Sequence, residues 1–164
     1  MSKFAVLTIS DRCSRGESED KSGKIIIDIL KDAGWENASY DIVADEIDLI
    51  QEKLLYYCDN MNLDLMLTTG GTGLGPRDVT PEATLEVCEK IIPGISEFIR
   101  SEGSKKTRNA ILSRGISALR KNTIIINLPG SPKGAQESLT VILDLIPHAL
   151  EMVRGKGHDN IPHE

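Results

Sequence analysis

Histidine is scarce in this 164-residue chain and poorly placed for catalysis, since His148, His158 and His163 all fall in the last 17 residues. Nothing in the sequence resembles a Ser/His/Asp or Cys/His set, so the usual nucleophilic hydrolase arrangements are not indicated. Cysteine is equally sparse: Cys13, Cys58 and Cys88 are odd in number, widely spaced and form no C-x-x-C pair, which argues against a structural zinc site or a redox pair. Cys58 and Cys88 fall on the apolar faces of predicted helices and read as buried fillers. Cys13, in a polar loop, is the one placed to react. A reducing cytoplasm is the compartment such usage suggests. Long apolar runs are missing as well. Phe4–Ile9 is too short for a signal-peptide core and reads as a strand, and no stretch approaches the length of a membrane span. The net charge of −6 argues against a general nucleic-acid binder and leaves room only for a local basic pocket.

What is present is an ordinary globular balance, 40% hydrophobic and 27% charged, in a length that suits one domain with a real core. The chain is organised around Leu67–Thr84, LTTGGTGLGPRDVTPEAT. An apolar strand over 63–69 runs into Gly70, Gly71, Gly73 and Gly75, then Arg77 and Asp78, then a helix that should open with Thr80 as N-cap and Pro81 as first helical residue. Glycine permits positive φ and lets a ligand approach bare backbone. Backbone N–H groups, a positive helix end, an arginine and a carboxylate able to hold a metal suit a phosphate. One or two glycines would mean only a tight turn. Four within six residues, followed by Arg-Asp and a Thr-Pro cap, favour a ligand site. No Gly-Lys-Ser/Thr follows, and the G-x-G-x-x-G spacing is absent, so this is neither a Walker loop nor a dinucleotide fingerprint.

Around it the periodicity predicts alternating strands and helices. Phe4–Ser10 reads as a buried strand ending in Ser10-Asp11-Arg12, with a polar segment beyond in which 17–20 is expected to be a mobile surface loop. Ser22 is the expected N-cap of a helix over 23–33 stopped by Gly34. A weaker strand, 38–43, leads to Asp45, which on spacing either caps the next helix or belongs to the site. The Pro81 helix should reach about Lys90, with a further helix over 95–102. The basic segment 103–119, containing Ser113 and Arg114, yields no clear element. Thr123–Leu128 is the last strand. It enters Pro129-Gly130-Ser131-Pro132, either a second anion cradle or a well-made turn, before a long helix to about Arg154 kinked at Pro147. This order predicts a three-layer α/β/α sandwich with a mostly parallel sheet, a single domain over 1–154 and a frayed tail over 155–164. The loops after Ile9, Val43, Thr69 and Leu128 then gather at one sheet edge and bring Asp11, Asp45, Asp78 and Ser131 into one crevice.

The motifs TISDR (8–12), VADE (43–46), TTGGTGLGPRDVTPEAT (68–84), ILSRG (111–115) and NLPGSPKGA (127–135) resemble molybdenum-cofactor biosynthesis proteins of the molybdopterin adenylyltransferase type, over nearly the whole chain. Ala44 stands where the family usually has proline, and Ser131 where many members have Asn or Gln. The resemblance implies a homotrimer that adenylylates molybdopterin with ATP and Mg²⁺, releasing pyrophosphate, with a downstream metal-inserting enzyme as a further partner. It implies Asp45 and Asp78 as catalytic residues, with Asp78 holding the metal. Substrate binding would fall to Ser10, Asp11, Gly70, Gly71, Thr72, Gly73, Arg77, Ser113, Arg114, Pro129, Gly130 and Ser131. Two relatives keep other readings open: a MoaB-type molybdopterin-binding or scaffold module without catalysis, and a hydrolase of nucleotide pyrophosphate linkages.

Overall fold

A computed structural model describes residues 1–156. Six strands form one sheet in the order β2-β1-β3-β6-β5-β4. β1 (Lys3–Ile9), β2 (Glu36–Val43), β3 (Leu65–Thr69) and β6 (Thr123–Leu128) are mutually parallel, while β4 (Lys90–Ile91) and β5 (Ser117–Arg120) add an antiparallel flank. Side chains alternate across the strands, as the pleat requires. Phe4, Val6, Leu65, Leu67, Ile124 and Ile126 face one layer, with α2 (Lys21–Asp32), α5 (Pro93–Ser104), α6 (Pro132–Ile142) and α7 (Ile146–Val153) supplying its other side. Ala5, Leu7, Ile9, Met66 and Ile125 face the opposite layer, against α3 (Ile47–Asn60) and α4 (Thr80–Val87). The three-layer, mostly parallel architecture is the one predicted.

Register places the site. Ile9 pairs with Val43, Thr8 with Thr69, and Thr69 with Leu128, so four strands end at one edge. The chain passes from β1 to β2 on one side and returns to β3 on the other, which opens a crevice between the β1 and β3 ends.

Local differences from the sequence reading have physical causes. Asp20, not Ser22, caps α2: its carboxylate accepts from Gly23 N at 3.0 Å, and Asp20 is buried rather than part of a mobile loop. β5 escaped notice because only Ala118 and Leu119 are apolar in it, yet pairing with β6 buries Ser117, whose hydroxyl meets Ser96 at 2.6 Å. The α4 helix stops at Val87, before the short β4. The expected long last helix is two, α6 and α7. Pro147 lacks an N–H and its ring clashes with the carbonyl four residues earlier, so the helix ends before it and restarts. Cys58 is buried as expected, but Cys88 is only partly so, and Cys13 lies in a one-turn helix, α1 (Asp11–Ser14). The predicted frayed tail, 155–164, lies mostly outside the described residues, as do His158 and His163.

Candidate active site

At the end of β1 the chain turns at Ser10, whose N–H donates to the carbonyl of Val43 at 2.9 Å and whose hydroxyl caps α1 by accepting from Cys13 N at 3.1 Å. Asp11 follows and is locked to Asp45. The Asp11 N–H donates to Asp45 Oδ2 at 2.9 Å, and the Asp45 N–H donates to Asp11 Oδ1 at 3.0 Å. Asp45 therefore does not cap α3; Glu46 stands at that position and makes no side-chain cap bond. Arg77 grips the other side of Asp11, with Nε and Nη2 at 3.1 and 3.0 Å, and reaches Glu46 Oε1 with Nη2 at 2.8 Å. Its guanidinium holds the Asp11 carboxyl below the usual carboxylate range. Asp45 moves the other way, raised chiefly by burial and further by the negative charges of Asp11 and Asp78.

The glycine loop is shaped by two left-handed residues, Gly70 at φ 101° and Gly71 at φ 68°. A Cβ on Gly70 would lie 2.2 Å from the Ile9 carbonyl oxygen, and one on Gly71 would lie 2.2 Å from Thr80 Oγ1. Thr80 was expected to cap α4; instead its hydroxyl donates to the Gly70 carbonyl at 2.9 Å and its N–H to the Gly71 carbonyl at 3.1 Å. The helix start is thereby welded to the loop. Asp78 folds back so that Oδ2 accepts the Gly75 N–H at 2.9 Å. Arg114 closes the loop from outside, donating to the Gly73 and Asp78 carbonyls at 2.8 and 2.9 Å and pairing with Glu82. Among the described residues, no acceptor takes the N–H of Gly71, Thr72 or Gly73. Backbone N–H groups left free in a glycine loop are donors of the kind that can meet an anion, and of these three residues Gly71 lines a cavity.

The predicted site residues divide between two cavities. A cleft of about 460 Å³ is lined by Ser10, Asp45, Gly70, Gly71, Asp78 and Gly130, among others. A second cavity of about 300 Å³ takes Ser113, Pro129 and Ser131. The two share the 129–132 segment as a wall, with Gly130 and Pro132 facing the first and Pro129 and Ser131 the second. Ser131 also caps α6, accepting from Gly134 N at 3.1 Å. Asp11, Thr72, Gly73, Arg77 and Arg114 border neither cavity and act as the frame. Arg77 and Arg114, predicted to meet substrate, are here engaged by carboxylates and carbonyls of the protein itself.

Sequence reasoning missed the floor of the first cleft. Asp20 Oδ2 accepts from the hydroxyls of Thr8, at 2.6 Å, and Tyr40, and burial with this contact raises the Tyr40 phenol above its ordinary range. Ser22, on the turn that Asp20 caps, donates to the Gly130 carbonyl at 2.7 Å, and Thr69 donates to the Pro129 carbonyl at 2.7 Å. The two glycine-bearing loops are thus tied through side chains. The available signal was Asp20-x-x-Gly23 before an apolar helical stripe, an N-cap spacing as good as that of Ser22.

Residues 5–148 match the family model described as "Probable molybdopterin binding domain". The chain belongs to this family. Its role is in molybdenum cofactor biosynthesis, and family members of high identity to it are nucleotidyltransferases. It is 45% identical over 154 residues to a molybdopterin adenylyltransferase of Helicobacter pylori, covering 93% of this chain and 88% of that one. Its fold superposes on the molybdopterin biosynthesis enzyme MoaB of Thermus thermophilus with a TM-score of 0.90 at 47% identity, over 95% and 98% of the two chains. On the Mog protein of Mycobacterium ulcerans the values are 0.88 and 35%, over 93% and 99%.

Proposed function

We propose that this chain transfers the adenylyl group of ATP to the phosphate of molybdopterin, with Mg²⁺, releasing pyrophosphate. The observation that carries the reading is one cleft holding Asp45 and Asp78 beside Gly71, whose N–H has no acceptor among the described residues. In the reaction a phosphate oxygen of molybdopterin bonds to the α-phosphorus of ATP. The bond from that phosphorus to the bridging oxygen breaks, and pyrophosphate leaves with the electron pair. The attacking phosphate is already ionised at neutral pH, so the step asks for alignment and charge neutralisation rather than a general base. The Gly71 amide and Ser10 hold phosphate oxygens, and the Asp11–Arg77–Glu46 clamp fixes the strand end that carries Asp45.

The donors in the cleft fit Mg²⁺. Asp45 and Asp78 are both hard oxygen ligands, and the described residues contain no group of three or more His, Cys, Asp or Glu that would form a closed cage. Two carboxylates leave the remaining positions to phosphate and water, which is how Mg²⁺ is commonly held. When bound, the ion neutralises the triphosphate, which an acidic cleft would otherwise repel. The same reading includes a homotrimer in the cytoplasm that passes its product to a metal-inserting enzyme. The exposed apolar side chains of Leu85, Ile91, Phe98, Ile111 and Leu112 supply surface for assembly.

The test is pyrophosphate release from ATP and Mg²⁺, with and without molybdopterin, on wild type and Asp78→Asn. Release that needs the pterin and disappears in the variant supports the reading. Molybdopterin binding without release would point to a carrier or scaffold, and pterin-independent release to a nucleotide pyrophosphate hydrolase.

A further inference from the structure

The first cleft is short of positive charge. Four carboxylates line it, those of Glu19, Asp20, Asp45 and Asp78. Two of these are already answered: Lys24 pairs with Glu19 at 2.8 Å, and Asp20 accepts from Thr8, Tyr40 and the Gly23 N–H. The arginines that frame the glycine loop do not supply the deficit. Arg77 is held by Asp11 and Glu46, Arg114 by Glu82 and two carbonyls, and neither lines the cleft. Two other cations do line it, Arg12 on α1 and Lys21 at the start of α2. Both are exposed, and among the described residues neither side chain makes a hydrogen bond or an ion pair. Their neighbours behave differently: Arg15 pairs with Glu17 at 2.9 Å, as Lys24 does with Glu19. Two uncommitted cations at one cleft are donors suited to a multiply charged anion.

We infer that Arg12 and Lys21 receive the leaving pyrophosphate of the adenylyl transfer. This rests on the adenylyltransferase reading and adds to it the residues that take the β- and γ-phosphates. One divalent ion held by Asp45 and Asp78 brings two positive charges against two carboxylates, so the phosphate chain needs further cations from the protein. As the bond from the α-phosphorus to the bridging oxygen breaks, that oxygen keeps the electron pair, and negative charge gathers on the departing pyrophosphate. Cations placed there interact more strongly in the transition state than in the ground state, and so assist the step as well as the binding. The two side chains differ in what they offer. The Arg12 guanidinium is a planar fork that takes two oxygens of one phosphate, whereas the Lys21 ammonium is a compact charge on a flexible stem.

The experiment is calorimetric binding of inorganic pyrophosphate and, separately, of AMP, each with Mg²⁺, to wild type, Arg12→Gln, Lys21→Gln and the double variant. AMP carries the α-phosphate alone and reports on the rest of the nucleotide site. Lys31→Gln, in the last turn of α2 and bordering neither cavity, controls for net charge. Arg12 and Lys21 are exposed, so their replacement leaves the core untouched. Each single change should weaken pyrophosphate about 10-fold and the double change about 100-fold, while AMP changes less than about twofold and Lys31→Gln binds both as wild type does. An equal loss of AMP and pyrophosphate, or a loss matched by Lys31→Gln, would mean that the pair acts only through the general field, and the assignment is wrong. Pyrophosphate bound by the double variant as tightly as by wild type would overturn it too, with the adenylyltransferase reading left standing. If wild type binds neither ligand and releases no pyrophosphate from ATP and molybdopterin, that reading fails and takes the assignment with it.

Discussion

Asp11 and Asp45 hold each other through two reciprocal hydrogen bonds, each carboxylate accepting the other's backbone N–H at 2.9 and 3.0 Å. The pair ties the ends of β1 and β2 together, and Arg77 anchors it to the glycine loop. Asp11→Ala removes both the acceptor for Asp45 N–H and the partner of Arg77. The expected result is a folded protein in which kcat/KM for ATP falls about 10- to 100-fold, because Asp45 is no longer fixed in position. Steady-state kinetics alongside circular dichroism will show it.

Asp45 should be costly to stability and necessary for activity. Its folded-state carboxyl is raised by burial, so the native state binds a proton more readily than the unfolded chain. Its contribution to stability therefore falls as pH rises through the folded value, and at neutral pH the ionised group is a net burden. Asp45→Asn keeps an acceptor for the Asp11 N–H while removing the charge. Its Tm at pH 7 should equal or exceed wild type by a few degrees at most, with adenylyl transfer largely lost.

The same shift sets the acid side of the pH–rate profile. Activity should decline as Asp45 takes up a proton, at a pH above the ordinary aspartate value of about 3.9. Asp11, lowered by Arg77, stays ionised through that range. Replacing Arg77 with Met should raise Asp11 toward ordinary values and lift Asp45 slightly, since Arg77 also favours its charged form. The acid limb of kcat/KM should then move to higher pH; an unmoved limb would assign it to another group.

Gly70→Ala and Gly71→Ala should differ in severity. Both impose a side chain at positive φ, a strain of about 1–3 kcal/mol. On Gly70 the added methyl also meets the Ile9 carbonyl, which belongs to a sheet strand and cannot turn aside. On Gly71 it meets the Thr80 hydroxyl, which can rotate at the expense of its bond to Gly70. Denaturant unfolding should rank Gly70→Ala as the more destabilised.

Asp20→Ala leaves the Thr8 and Tyr40 hydroxyls and the Gly23 N–H without their shared acceptor in a buried site. Lost capping and unsatisfied donors together should cost about 3 kcal/mol, against about 1 kcal/mol for Tyr40→Phe, which removes one bond and leaves no orphan donor. Chemical denaturation of the two variants measures both.

The sequence by itself determined the sheet's parallel half and the chemical character of the main loop. Runs such as Phe4–Ile9 and Thr123–Leu128 are apolar on both faces because helices cover both sides, and that composition reads as a buried strand without further help. The TTGGTG and RDVTPEAT stretches marked an anion-binding loop because glycine, a carboxylate and a helix start occur in one local run. Tertiary structure decided what those residues touch. Arg77 and Asp11 are 66 positions apart, Ser22 and Gly130 108 apart, and no local pattern encodes such partners. It also decided that β5 is a strand, since burial against β6 outweighs the weak propensity of Ser117–Arg120. Likewise Asp20 reads locally as one acid in a polar run. Only the approach of Thr8 from β1 and Tyr40 from β2 makes it the buried acceptor on which the cleft floor rests.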